Sequence, residues 1–200
     1  MEKALYKPQT AAFAEIIASS LHTFSACCWK WNITPEFGSL VKVKQNDKTM
    51  YAIVYNIKTT SLDPMRDIHV YQKTEEEMYQ EYPHLFDFLK TTFEALVIGY
   101  LEHSQYYYAR LKTPIKLYSF TEYATEEELQ LFFSDPQSMN LLLHPGILIE
   151  QYEDLLCSVI KIQKKLNVLS HDRLATVMSQ YALSTNASYR HLKTFFDRIS

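Results

Sequence analysis

The first third of the chain carries the polar–apolar alternation of β-strands. Within residues 38–44 two valines alternate with two lysines, so an extended chain places the two kinds of side chain on opposite faces. The cluster Asn46-Asp47-Lys48 favours a turn, and residues 50–57 follow as an apolar partner strand. Two further segments that are rich in β-branched, aromatic and small apolar residues predict strands at 13–17 and 22–31.

Helix starts are predicted where the sequence reads Thr-Glu-Glu-Glu. Thr74 and Thr125 can each act as an N-cap whose third glutamate completes a capping box, with the acids over the positive end of the helix. Pro83 resets the chain, and a short helical turn is predicted at 85–89. Apolar runs between the two helix starts predict three more strands, at 93–101, 106–111 and 115–123. A helical period in the last third predicts helices at 147–166, 172–183 and 189–199.

The pattern changes from strand-rich to helical near residues 123–125. No long flexible linker lies at this point, so we expect the two parts to pack together. We therefore predict an α+β chain with a strand-rich unit at 10–123 and a helical module at 124–200 packed against it.

Composition excludes two kinds of nucleotide site. The 200 residues are 47% hydrophobic with a net charge of −3, which suffices for a buried core. Only three glycines are present, Gly38, Gly99 and Gly146, and they stand far apart. Neither a glycine-rich P-loop nor a G-x-G-x-x-G turn can therefore form, and we expect no cofactor.

Cysteine usage and the N-terminus indicate a compartment. Cys27 and Cys28 are adjacent and Cys157 is remote, which suggests no disulfide framework. The first ten residues lack the apolar core of a signal peptide, and no apolar stretch is long enough to span a membrane. We expect a cytoplasmic protein that does not insert into membranes.

Charge is distributed unevenly along the chain. Residues 74–128 contain eleven acids and four bases, whereas residues 150–200 contain five acids and seven bases. The acidic middle fits either a face that meets a basic partner or a solvated surface with capping carboxylates. The basic tail fits solvated helix faces, an acidic partner or the chain's own acidic middle.

Motifs for metal binding and catalysis are missing from the sequence. The seven histidines never form H-x-H, H-E-x-x-H or H-x-x-x-H, and Cys27-Cys28 is not C-x-x-C, so we expect no metal site. No G-x-S-x-G elbow is present. Glu94 and Glu102 are separated by an even number and could share one strand face, either as paired catalytic carboxylates or as an exposed polar face.

One stretch interleaves aromatic and basic residues. On a strand, Tyr106, Tyr108 and Arg110 would share a face, and Lys112 would extend it, which suits stacking of single-stranded bases. The alternative places one tyrosine face in the core and the other at a protein interface. The acidity of the surrounding sequence argues against nucleic acid at this place.

Several segments carry more information than alternation alone. They are 37–43 (FGSLVKV), 51–57 (YAIVYNI), 60–66 (TSLDPMR), 93–100 (FEALVIGY) and 141–143 (LLL). Together they resemble the HAS-barrel family, the small β-barrel that HerA-type DNA translocases and ATP-synthase catalytic subunits carry ahead of their motor domain. The resemblance spans residues 10–145, and its S-L-D-P-x-R segment is the most distinctive part.

The resemblance implies a fold and a class of function. The implied fold is a small closed or partly open antiparallel β-barrel with inserted short helices, followed by a C-terminal α-helical module. In motor proteins the barrel helps to arrange subunits in a ring and contacts partners. Because this chain has no phosphate loop, we expect a non-enzymatic adaptor or assembly module whose partner is a protein, either a ring ATPase or further copies of the chain.

Two surfaces are expected to make the contact. The expected contact residues are Ser61, Asp63 and Arg66 in a loop and Glu75, Glu76 and Glu77 at the acidic helix start. The resemblance also implies turn geometry and an Asp63–Arg66 contact in that loop. A nucleic-acid-binding barrel that uses the Tyr106 face is the alternative function. A hydrolase with an unrecognised site is a third, and it would need a deep pocket with convergent polar groups.

Overall fold

Six strands of one antiparallel sheet close on themselves to form a barrel. The computed structural model describes residues 11–63, 69–185 and 189–199. The strands are β1 (Ala12–Ser19), β2 (Thr23–Cys28), β3 (Leu40–Gln45), β4 (Lys48–Ser61), β5 (Leu89–Glu102), β6 (Gln105–Tyr107) and β7 (Phe120–Tyr123). Around the barrel the order is β1-β2-β5-β4-β3-β7, and β7 pairs with β1 to complete the circle. The prediction of an α+β fold with an antiparallel barrel is confirmed.

Helical segments lie between β4 and β5 and after β7. Between the two strands come α1 (Glu75–Glu81) and a 3₁₀ helix (Pro83–Phe88). After β7 come α2 (Glu126–Ser134), a 3₁₀ helix (Pro136–Met139), α3 (Asn140–Leu143), α4 (Tyr152–Lys165), α5 (His171–Thr185) and α6 (Tyr189–Ile199). Both predicted capping boxes form, with Thr74 and Thr125 as the N-caps of α1 and α2.

Each of the two longest strands is bent by one β-bulge. In the register of the β4–β5 ladder, Tyr55 of β4 and Ile98 of β5 are the extra residues and have no cross-strand partner. A bulge adds one residue to its strand, so the strand exchanges its two faces beyond that point. Val97 and Tyr100 accordingly both pack inside the barrel, although three positions separate them. The two bulges let the long β4–β5 pair curve around the barrel.

Two cores lie on opposite sides of the same strands. The first fills the barrel interior and the second lies between the outer face of the barrel and the helices. In β4, Ala52 belongs to the interior core and Ile53 to the outer core. Burial on both faces explains why β4 and β5 read as continuous apolar runs instead of strict alternation.

The segment between β6 and β7 differs from the sequence-based expectation. Strands were expected at 106–111 and 115–123, but β6 ends at Tyr107 and β7 begins at Phe120. In between, Leu111 and Ile115 are buried in the barrel-interior core. The N–H of Ile115 donates to Ser19 Oγ at 3.0 Å instead of to a neighbouring strand. These apolar residues therefore fill the barrel core from a loop, which periodicity does not distinguish from a strand.

Two glycines permit close contacts between the barrel and neighbouring segments. Gly38 has φ +82°, and a Cβ there would lie 2.2 Å from Ser158 Oγ of α4. A Cβ at Gly99 would lie 2.6 Å from the Tyr107 carbonyl oxygen and 3.2 Å from the Phe132 ring. Since real Cβ atoms do not approach other atoms so closely, α4 and the β6 hairpin can take their positions only against glycine.

Candidate interaction surface

We name the segment between β4 and β5, residues 62–88, the β4–β5 connection. Its described residues, 62–63 and 69–88, lie outside both cores. Its helix α1 has no buried residue. The start of α1 is fixed by the capping box, in which Thr74 N–H donates to Glu77 Oε2 at 2.8 Å and Glu77 N–H donates to Thr74 Oγ1 at 3.3 Å. The backbone N–H and the hydroxyl of Thr74 both donate to the Glu77 carboxylate, and these two hydrogen bonds lower its pKa. The start of the helix is thus fixed by its cap, and no residue of the helix is buried in a core.

A row of stacked rings connects α1 to the barrel. The Phe86 ring of the 3₁₀ helix stacks on Tyr79 of α1 at a centroid distance of 3.8 Å and on Trp31 at 5.6 Å. Trp31 follows β2, and its carbonyl oxygen accepts a hydrogen bond from Thr91 Oγ1 of β5. Nearby, the Tyr71 and Tyr82 rings lie 5.2 Å apart, and the ammonium of Lys73 pairs with Glu81. The described part of the connection from Tyr71 to Phe86 therefore has a defined position relative to the strands.

The β4–β5 connection combines exposed apolar side chains with negative charge. Residues 62–88 contain seven carboxylates and two bases. Val70 is 87% exposed, and five large apolar side chains of the segment lie at the surface: Leu62, Val70, Tyr71, Tyr79 and Phe88. Grouped apolar side chains next to charge are a feature of protein-binding surfaces.

The described contact residues of the prediction lie in this connection, except Ser61, which directly precedes it. Ser61 ends β4, its Oγ accepts the Asp63 N–H at 3.2 Å, and Glu75, Glu76 and Glu77 form the first turn of α1. Arg66 and the implied Asp63–Arg66 contact lie outside the described residues. The described start of the predicted loop, at Ser61 and Asp63, and the predicted acidic turn thus lie between the same two paired strands. The stacked rings of Trp31 and Phe86 were not predicted.

The two tyrosines of the alternative nucleic-acid face pack against α2. Tyr106 and Tyr108 have ring centroids 5.8 and 5.1 Å from Phe132, and Tyr108 donates its hydroxyl to the Phe132 carbonyl at 2.8 Å. Burial raises the pKa of Tyr108 well above its usual range. The predicted strand over 106–111 is wrong beyond Tyr107, so the tyrosines do not continue into a strand face.

The two basic residues of that face lie apart from the rings. Arg110 donates to the carbonyl oxygens of His144 and Pro145 at 3.2 and 3.3 Å. Lys112 is exposed and lines a depression of about 260 Å³ at one end of the barrel. The structure does not arrange the four residues as one stacking platform, and nucleic-acid binding stays a prediction.

Glu94 and Glu102 do not form a carboxylate pair. The bulge at Ile98 lies between them, so their even spacing no longer puts them on the same face. Glu94 accepts a hydrogen bond from Asn56 Nδ2 at 3.2 Å, and Glu102 pairs with Lys48 at 3.1 Å. Each carboxylate therefore has its own partner on β4, and the expectation that they share a face is wrong.

One groove lies between the last two helices, α5 and α6. It has a volume of about 480 Å³ and mainly apolar walls, with His171, Ser179 and Lys193 as its polar lining. The hydroxyl of Tyr152 donates to the carbonyl oxygens of Leu142 and Leu143. Burial raises the pKa of Tyr152 to about 12. Within residues 11–63, 69–185 and 189–199, no group of three His, Cys, Asp or Glu side chains is placed to hold a metal ion.

Comparison with known proteins leaves the family open. A scan against protein-family models and a search of the curated proteins each give no match to this chain. Among the described helices, none combines the length and the apolar character needed to cross a membrane. What the chain does must therefore be inferred from its own surface.

Proposed function

We propose that this chain is a non-enzymatic adaptor or assembly module that binds a protein partner through the β4–β5 connection. The observation that carries the proposal is the composition of that surface. Exposed apolar and aromatic side chains lie beside clustered carboxylates on a segment whose helix has no buried residue. A partner with basic and apolar side chains would cover both kinds of group at once.

The order of α1 supports a binding role. A seven-residue helix gains little stability by itself, because helix nucleation is unfavourable and short helices are marginal in water. Here the capping box and the Tyr79–Phe86 stack hold the helix in one position. A surface that is ordered before binding loses less conformational entropy when the partner arrives.

The resemblance to HAS barrels supports the same class of function. In motor proteins that barrel arranges subunits and contacts partners, and the closed six-stranded barrel of this chain is compatible with such a role. With three separated glycines the sequence cannot form the phosphate loop of a motor. A barrel without a motor fits an adaptor, whose partner is a ring ATPase or another copy of the chain.

The test is site-specific photo-crosslinking in the native host. A photoreactive amino acid replaces Val70 in the connection or Leu148, which is 93% exposed and lies outside the connection. We expect a discrete crosslinked protein from position 70 and none from position 148. The same product from both positions, or none from position 70, overturns the proposal.

The chain supplies a matched pair of charge variants for this experiment. Glu75→Lys with Glu76→Lys reverses charge on α1, and Glu126→Lys with Glu127→Lys makes the same change in the second Thr-Glu-Glu-Glu segment. Both double variants keep the N3 glutamate of the capping box. We expect the α1 variant to lose the crosslink at position 70 and the α2 variant to retain it; equal effects contradict a contact through the connection.

A further inference from the structure

Among the described residues, no strand pairs with one edge of the second half of β4. On the side of β4 that faces away from β5, hydrogen bonds continue as far as Val54. The Val54 N–H donates to the Ser39 carbonyl at 3.0 Å, and the Val54 carbonyl accepts the Gly38 N–H at 2.8 Å. Beyond the bulge at Tyr55, β4 continues to Ser61 and pairs with β5 alone among the described segments. An open strand edge presents backbone donors and acceptors to any strand that can lie beside it.

The alternation of backbone hydrogen bonds along β4 shows which residues direct their N–H and C=O groups toward this edge. The Leu62 N–H donates to the Phe88 carbonyl at 2.7 Å, so even-numbered residues of this stretch point toward β5. The N–H and C=O groups of Ile57, Thr59 and Ser61 therefore point away from β5. Val54 is even-numbered, yet its N–H and C=O groups point away from β5. This agrees with the assignment, because the bulge at Tyr55 shifts the alternation by one residue.

We propose that a second copy of this chain adds its β4 edge to this one, antiparallel and centred on Thr59. In this register Thr59 pairs with Thr59 of the second copy, and Ile57 pairs with Ser61 of the second copy. The three outward-facing residues of each copy then exchange all their backbone groups across a twofold axis. No backbone donor or acceptor of these three residues is left over.

The side chains favour a second copy over an unrelated strand. Between Tyr55 and Ser61 the sequence has one charged residue, Lys58, and the proposed register sets it opposite Thr60 of the second copy. Like charges, which destabilise directly opposite positions, are thereby avoided. Leu62, half-exposed at the end of the strand, adds apolar area to the contact. The proposal does not use the acidic turn of α1, so it stands independently of the proposed function.

Cysteine crosslinking tests the register. In a Cys27→Ser background, Thr59→Cys places two thiols at the twofold axis, where opposed Cα atoms are about 5.5 Å apart and can form a disulfide. Lys58→Cys is the matched control. In the proposed register the two residues 58 of the dimer are offset by two positions along the strands, and their side chains lie on the face opposite to that of Thr59. We expect oxidised dimer from position 59 and monomer from position 58. Equal crosslinking at both positions overturns the proposal.

Charge variants test the same pairing without a covalent link. Thr60→Glu puts a carboxylate opposite Lys58 of the second copy, twice per dimer, and we expect dimerisation in sedimentation velocity to tighten by roughly fivefold. Adding Lys58→Glu to that variant sets like charges opposite each other and should return the protein to monomer. A monomer at every concentration for the wild type and for Thr60→Glu overturns the proposal, and that result would leave the crosslinking test of the β4–β5 connection unaffected.

Discussion

Lys42 of β3 donates from Nζ to both carboxylate oxygens of Glu128, at 2.8 and 2.6 Å, and so joins the barrel to the first turn of α2. Glu128 is also the N3 residue of the second capping box and accepts the Thr125 N–H at 2.8 Å. Glu122 of β7 lies 3.7 Å from the same ammonium, which is nearly buried. One lysine therefore connects two barrel strands with a helix.

We predict a pH-dependent loss of stability for Glu128→Gln. Burial acts to raise the pKa of Glu128, but the hydrogen bonds from Lys42 and Thr125 outweigh it, so the pKa lies below its usual value. A carboxyl group with a lowered pKa stabilises the fold above its unfolded pKa of about 4.3, and the gain disappears as the pH falls through the folded pKa. Urea unfolding should show wild type more stable by about 2 kcal/mol at neutral pH, with a smaller difference near pH 3.

The control for this measurement is Glu127→Gln, at an exposed neighbour in the same helical turn. It should change stability little at either pH, because exposed charges contribute little. A difference between wild type and Glu128→Gln that is the same at both pH values contradicts the proposed role of the carboxylate.

Arg173→Lys should destabilise the helical module. The guanidinium donates to four carbonyl oxygens, those of Phe133, Ser134, Asp135 and Val168, at 2.8 to 3.1 Å. A lysine keeps the charge but cannot reach all four in the planar arrangement of arginine, so we expect a loss of about 2 kcal/mol. Arg198→Lys, at an exposed pair with Asp154, is the comparison and should cost much less stability. Equal losses in thermal unfolding would refute the assignment.

Gly38→Ala should cost more stability than Gly146→Ala. Both glycines have positive φ, +82° and +72°, so both substitutions strain the backbone. At Gly38 the new Cβ meets Ser158 of the packed helix α4 at 2.2 Å, whereas at Gly146 it meets the movable end of the Arg110 side chain at 2.6 Å. We expect about 3 kcal/mol at Gly38 and about 1 kcal/mol at Gly146 in chemical denaturation. The reverse order would contradict the packing of α4 on the barrel.

Thiol labelling should separate Cys27 from the other two cysteines. Burial, with a smaller effect from Cys27, raises the pKa of Cys28 to about 11, and Cys157 is also buried with a raised pKa. Since the thiolate is the reactive form, both should react slowly while the protein is folded. Cys27 is half-buried and should react first. Three thiols reacting at one rate in native buffer would contradict the burial of Cys28 and Cys157 in the two cores.

Phe86→Ala should loosen α1 without unfolding the barrel. The Phe86 ring lies between the rings of Tyr79 and Trp31, at centroid distances of 3.8 and 5.6 Å. Its removal breaks the row of stacked rings that joins α1 to Trp31. Amide hydrogen exchange in residues 75–81 should accelerate by about tenfold or more, while the strands keep their protection. Val70→Ala, at an exposed position, should leave exchange in α1 unchanged. Unchanged exchange in Phe86→Ala would mean that the capping box alone orders the helix.

Local signals predicted the elements whose structure depends on neighbouring residues. The two capping boxes require only Thr74 or Thr125 and the glutamate three residues later, so the sequence contains the whole motif. The bulges at Tyr55 and Ile98 depend on how two distant strands curve around a barrel, and the apolar pattern has no mark for them. For the same reason the faces of Glu94 and Glu102 were assigned wrongly.

The candidate surface was predicted in part. The acidic turn beginning at Glu75 is visible as a run of like charges, and the structure places it in the β4–β5 connection. The Trp31–Phe86 stack joins residues far apart in the chain, and single aromatic residues in a chain with 28 of them carry no positional signal. The Trp31–Phe86 stack depends on long-range packing, so composition could not predict it.

The two ends of the β4–β5 connection are neighbours in space. Ser61 and Leu89 are cross-strand partners, so the ladder of the barrel is complete before the connection begins. Because the entropic cost of closing a loop grows slowly with its length, this segment can change in size without changing the strands. The connection is in this sense an exchangeable part: a short turn from Ser61 to Leu89 would leave the barrel closed, and so would an insert of another length or composition.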